Sequence, residues 1–137
     1  MKKINSINDF VDAAEFLIRE KYTNPNKLAI NGGSHGGLVV GAAMTQRPDL
    51  FKVVISEMGR LDMASLDKYT SGIHHFDEYG NPNNKEEFQS MISYSPYHTI
   101  KEDINYSTCL IITSENDDRV PPFQSYKFAA RLQNRTA

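Results

Sequence analysis

Between Asp9 and Lys21 the apolar positions Phe10, Ala14, Leu17 and Ile18 recur at helical spacing. The pattern predicts one amphipathic helix, with Ser6 or Asn8 available as its cap. The turn cluster Tyr22-Thr23-Asn24-Pro25-Asn26 follows, and Lys27 to Asn31 reads as a short buried strand. Leu38-Val39-Val40-Gly41-Ala42-Ala43-Met44 predicts a second helix that runs to about Arg47, where Pro48 stops it. Two further β-branched runs, Phe51 to Ser56 and Thr108 to Thr113, predict strands. A long polar and aromatic insertion separates them. Within it Gly80-Asn81-Pro82-Asn83-Asn84 reads as a turn, and a helix starts near Asn84, where Asn84 and Glu87 sit at capping-box spacing. After Arg119-Val120-Pro121-Pro122, Phe123, Tyr126, Lys127 and Ala130 mark a last helix over Phe123 to Gln133. Helix alternating with strand predicts the α/β class: a mostly parallel sheet with helices on both faces, in one domain over residues 1–137.

A formal net charge of −2 over 137 residues gives no bias toward polyanions, so nucleic acid is not an expected partner. Lys2 and Lys3 are followed by the polar stretch Asn5-Ser6-Ile7-Asn8-Asp9, and no apolar run approaches bilayer length. Neither a signal peptide nor a membrane span is predicted. The expected location is the cytoplasm, with the periplasm open for a longer parent protein. The single cysteine, Cys109, falls in the run Cys109-Leu110-Ile111-Ile112 and reads as a small buried residue. His74 and His75 are adjacent rather than at helical ligand spacing, so no metal site is predicted, and no cofactor is implied.

The chemistry concentrates at Gly32-Gly33-Ser34-His35-Gly36-Gly37, a G-x-S-x-G motif between a predicted strand and a predicted helix. A nucleophile elbow needs that setting: the serine rides a sharp turn with strained backbone angles, and its neighbours must be small enough to let strand and helix approach. Ser34 is the candidate nucleophile. In hydrolases of this kind the acid follows on a later strand end. Ser114-Glu115-Asn116-Asp117-Asp118-Arg119 directly follows the third predicted strand and offers a carboxylate there. Its task is to orient a histidine and stabilise the imidazolium that forms.

No histidine follows. His35, His74, His75 and His98 all precede Asp117. The elbow throws the His35 ring away from the serine, so its backbone N–H, as an oxyanion donor, is the more plausible contribution. His74, His75 and His98 would require an unusual chain order. The elbow also stands only about thirty residues into the chain, without room for the strands that usually precede it. The expectation is that the chain is a fragment of an α/β-hydrolase domain, inactive alone, with the histidine segment outside it. Exposed sheet edges on such a piece invite pairing with another copy.

Several segments together, Ala13-Ala14-Glu15-Phe16-Leu17-Ile18, the elbow through Leu38, Gln46-Arg47-Pro48-Asp49-Leu50-Phe51, Tyr94-Ser95-Pro96 and Asn116-Asp117-Asp118-Arg119-Val120, resemble the catalytic domain of the prolyl oligopeptidases. These are serine peptidases whose α/β-hydrolase domain is capped by a β-propeller. The resemblance implies a peptide substrate cleaved after proline through an acyl-enzyme. It makes Ser34 the nucleophile, Asp117 the triad acid and the His35 N–H one oxyanion donor. It also sets Arg119, with Val120 beside it, on a substrate carbonyl near the scissile bond. A guanidinium suits that work because its fork of donors stays charged at any working pH, although a salt bridge to Asp117 or Asp118 is the alternative.

The chain departs from the family pattern at three places. His35 replaces a common asparagine. His75 stands where an aromatic residue, commonly tryptophan, walls the proline pocket, and Arg60 stands where a small apolar residue, usually valine, is found. Tyr79 retains a pocket aromatic. A cation in that pocket calls for a carboxylate such as Glu57 or Glu78. Arg60 and His75 leave an acylaminoacyl-peptidase or an esterase of the same fold as alternatives, and a non-catalytic, self-associating piece as another.

Overall fold

A computed structural model of the chain describes residues 3–134. Helix α1 (Lys3–Arg19) leads to strand β1 (Ala29–Gly33), helix α2 (His35–Gln46) and strand β2 (Val53–Glu57). The insertion folds as a 3-10 segment, Met63–Lys68, and helices α3 (Thr70–Ile73), α4 (Phe76–Tyr79), α5 (Lys85–Tyr94) and α6 (Pro96–Thr99). Strand β3 (Thr108–Ile112) and helix α7 (Phe123–Asn134) complete the order.

The three strands form a parallel sheet in the order β1-β2-β3. Gly33 stands opposite Glu57, and Glu57 opposite Ile112, so all three strands end on one rim. Parallel pairing follows from connections too long for hairpins, each carrying helix. The mostly parallel sheet with helices and the α/β-hydrolase architecture are those expected, and in this piece of it the cover described lies on one face. Among the described residues, α1, α2 and α7 pack beneath one face through Val11, Ala14, Val40, Met44 and Phe128, against Ile30 and Val54. The other face carries Leu110 and Ile112, 52% and 42% exposed. The physical reason is topological. Right-handed crossovers along a sheet that grows in one direction all fall on the same side, and covering the other side requires the strand order to reverse.

Three elements start elsewhere than the sequence reading places them. Helix α1 starts at Lys3, not Asp9, because Ile4 and Ile7 continue the apolar stripe upstream of Val11 and pack against the insertion, with Ile7 only 1% exposed. Ser6 and Asn8 therefore lie inside the helix rather than capping it. Strand β1 is displaced from Lys27–Asn31 because the Lys27 and Leu28 N–H groups turn back to Asn24 O, at 2.9 and 3.0 Å, while Gly32 and Gly33 carry the ladder onward. Strand β2 begins at Val53 rather than Phe51, whose side chain enters the core as the strand approaches.

The insertion supplies a second apolar cluster, in which Leu38 of α2 meets Met63, Leu66, Met91 and Tyr94, each 0% exposed. Helix α2 is thus buried from both sides, which is why its sequence is apolar all round. Each such side chain contributes roughly 1.5–3 kcal/mol relative to exposure. Asn84 caps α5 as its spacing predicts, accepting from Glu86 N at 3.0 Å and Glu87 N at 3.3 Å. The reciprocal half of the box is displaced. Glu87 Oε2 accepts from Asn81 N at 2.7 Å, and Asn84 N donates to Asn81 O.

Candidate active site

Ser34 sits between β1 and α2 at φ 52°, ψ −112°, a conformation that a non-glycine residue adopts only where its surroundings enforce it. Two contacts hold it: Ser34 N donates to Glu57 O at 2.8 Å, and Leu38 N donates to Ser34 O at 3.2 Å. A Cβ on Gly32 would lie 2.5 Å from the carbonyl carbon of Gly36 and closer still to its oxygen. Gly32 therefore lets strand and helix touch. The Ser34 hydroxyl makes no capping bond although it occupies the N-cap position. His35 is the first residue of α2, so its N–H has no intrahelical acceptor and points from the positive end of the helix.

The neighbouring strand ends are tied to this turn. Met58, also at positive φ (48°), donates its N–H to Ile112 O at 2.7 Å. Beyond β3, Asp117 Oδ1 accepts from Arg119 N at 2.9 Å and Val120 N at 3.0 Å. Both bonds fall on one carboxylate oxygen, and Oδ2 is free of them. Five predicted site residues besides Ser34, namely Arg60, His75, Asp117, Arg119 and Val120, line one cleft of about 230 Å³ with it. Met58 and Ser71 complete the lining. Neither is legible beforehand: the backbone strain at Met58 has no sequence signature, and Ser71 enters only through the packing of α3. A larger groove, about 330 Å³, runs between β3 and α7 beside Cys109, well removed from the elbow.

Two predicted residues stand behind the cleft rather than in its lining. Tyr79 is 2% exposed, with its ring 6.0 Å from that of His75. Its hydroxyl meets His35 Nδ1 at 3.0 Å, which turns the His35 ring away from the cleft. Burial pushes the Tyr79 phenol up to about 12. It holds the His35 imidazole below its ordinary value, an effect to which Lys3 and Arg60 add while Glu78 opposes. His75 Nδ1 lies 2.5 Å from Ser71 O; since a carbonyl only accepts, Nδ1 carries the proton and Nε2 is the remaining ring nitrogen. His98 is engaged elsewhere, with Ser95 Oγ at 2.9 Å.

Arg60 is 4% exposed. Its Nη2 donates to Ser71 Oγ at 3.1 Å, and its Nε and Nη1 have no hydrogen-bond partner. The carboxylates that the sequence suggests for it are committed elsewhere: Glu57 Oε1 accepts from Asn31 Nδ2 at 2.8 Å, and Glu78 pairs with Lys3. The faces of Tyr79 and Tyr69 approach the guanidinium carbon instead, at 5.5 and 5.9 Å. Arg119 makes no ion pair with Asp117 or Asp118 within 4.0 Å among the described residues. No group of three or more potential metal ligands occurs among the described residues, and no helix there is long and apolar enough to cross a membrane.

The model of the prolyl oligopeptidase family matches residues 1–137. The chain is 46% identical over 132 residues to a prolyl endopeptidase of Dictyostelium discoideum, covering 96% of this chain and 17% of that protein. It is 44% identical over 137 residues to a prolyl endopeptidase of Elizabethkingia miricola, covering 99% and 19%. A solved prolyl oligopeptidase B from Galerina marginata superposes with a TM-score of 0.94 at 39% identity, covering 98% of this chain and 19% of that one. The chain thus spans about a fifth of the length of these relatives.

Proposed function

Because the chain belongs to the prolyl oligopeptidase family, we propose that it carries the nucleophile and the acid of a serine peptidase that cleaves peptides on the carboxyl side of proline. Ser34 Oγ attacks the scissile carbonyl, and a histidine contributed from outside these 137 residues takes its proton and later delivers it to the leaving amine. Asp117 orients that imidazole through Oδ2, its Oδ1 being anchored by two backbone N–H groups. The His35 N–H, at the start of α2, donates to the oxyanion. Arg119 holds a substrate carbonyl on the acyl side, and the acyl-enzyme on Ser34 is then hydrolysed.

The observation that carries this reading is a serine at φ 52° sharing one cleft with Asp117 and Arg119. In the complete protein, Ser34→Ala should reduce hydrolysis of a proline-linked reporter peptide by on the order of 10⁴-fold or more. Undiminished turnover would dismiss the assignment. The 137-residue chain by itself should react with a fluorophosphonate far more slowly than the complete protein, because on this reading the histidine that activates the serine is supplied from elsewhere.

A second reading, of a non-catalytic piece that self-associates, is favoured by the exposed Leu110 and Ile112 and by the edge positions of β1 and β3. Light scattering of the isolated chain at increasing concentration separates the two. Strictly monomeric behaviour removes the second.

A further inference from the structure

We propose that the cleft beside Ser34 accepts a carboxylate-bearing side chain, aspartate or glutamate, on the acyl side of the scissile bond, with Arg60 as its counter-ion. The inference rests on the peptidase reading above and extends it beyond proline.

Arg60 follows the β2 end that pins the elbow, three residues beyond the Glu57 carbonyl to which Ser34 N donates. Its place relative to the nucleophile is therefore set by the backbone. It lines the cleft while only 4% exposed, and among the described residues no carboxylate or carbonyl accepts from its Nε or Nη1. No carboxylate lies within 4.0 Å of Arg60 among the described residues: Glu57 accepts from Asn31, Glu78 pairs with Lys3 and Asp62 with Lys127. Tyrosine faces offset part of the desolvation of the cation but provide no counter-charge.

Charge across the cleft points the same way. Its lining carries two guanidinium groups, Arg60 and Arg119, against one carboxylate, Asp117. One oxygen of Asp117 is already occupied by two N–H groups. A pocket with this balance focuses a positive field on whatever enters. A proline ring would strip water from the guanidinium and return no acceptor. A carboxylate would gain the attraction of the guanidinium, a charge-assisted bond from one of its N–H groups and a bond from the Ser71 hydroxyl that now accepts from Arg60. The volume, about 230 Å³, accommodates a side chain of that size.

The test separates binding from turnover. Dissociation constants of N-acetyl-glutamate amide, N-acetyl-glutamine amide and N-acetyl-prolinamide are measured by calorimetry on the complete protein carrying Ser34→Ala. The glutamate probe should bind about tenfold more tightly than its neutral glutamine isostere. Arg60→Met should bring the ratio to about one, and Arg60→Lys should retain part of it. Equal affinities in the Ser34→Ala protein, or a preference that survives Arg60→Met, overturn the proposal. The comparison of the first two probes needs no change at Arg60, so a folding defect there leaves it decidable. Turnover of glutamate-, glutamine- and proline-linked reporters by the unsubstituted protein runs in parallel. If none is cleaved while the binding preference holds, the peptidase reading fails and the carboxylate site stands.

Discussion

The two outer glycines of the G-x-S-x-G motif should respond to alanine with opposite signs. At Gly32 an added Cβ would meet the Gly36 backbone, 2.5 Å from its carbonyl carbon and 3.0 Å from its Cα. No rotamer change relieves a clash between a Cβ and main chain, so β1 and α2 must separate. Overpacking of this kind costs about 1–3 kcal/mol, and the rigidity of both partners puts Gly32→Ala at the upper end. For a chain of this size roughly 3–5 °C of melting temperature is lost per kcal/mol, so the expected drop is on the order of 10 °C. At Gly36, by contrast, a Cβ would meet nothing within 4 Å, and the residue lies inside α2. Gly36→Ala should be neutral or stabilising by about 0.5 kcal/mol, through the lower backbone entropy of alanine in the unfolded chain. Thermal unfolding followed by far-ultraviolet circular dichroism measures both. A Gly32→Ala melting point indistinguishable from the parent, or equal losses for both substitutions, would refute the close-approach argument.

Three further outcomes follow from the same contacts. Burial holds His35 and His98 below their ordinary value of 6.5, so the unfolded chain binds more protons. Stability should fall as pH drops below 6.5, and the double change His35→Gln, His98→Gln should flatten that slope in urea titrations. Asp62, 1% exposed, pairs with Lys127 and accepts from Ala64 N. Asp62→Asn should cost about 2 kcal/mol in urea unfolding, less than a fully buried pair because Lys127 can regain water. Burial pushes the Cys109 thiol up to about 11. Its reaction with a disulfide reagent near neutral pH should be at least about tenfold slower in the native chain than in urea.

The parts of the site that could be read from the sequence are those encoded by contiguous residues. A strand, a glycine-flanked serine and an apolar helix stand side by side in the chain, and the steric demand of the turn involves only these neighbours. Asp117 was legible from its place directly after a β-branched run. The Asn84 cap was legible because its acceptor and donors lie within three residues. The partners of Arg60 were not. Whether Glu57 or Glu78 meets that cation depends on competitors, Asn31 and Lys3, that come from distant parts of the chain. Tyr79 reads as a wall of the pocket by its match to the family pattern, yet packing of α4 against α1 and α2 sets it one layer behind.

Periodicity specified which side of each element is apolar, because burying a stripe or a face is a local requirement repeated at fixed spacing. It left open which faces meet. Strand order β1-β2-β3 put the helices on one side of the sheet, and α1 extended to Lys3 because Ile4 and Ile7 found the insertion to pack against. Strand polarity then brought Ser34 and Asp117 to a common rim. Identity and local geometry of the candidate groups were thus written in neighbouring residues. Their charge environment arose only where segments far apart in sequence converged, since a counter-ion acts through distance in space and not along the chain.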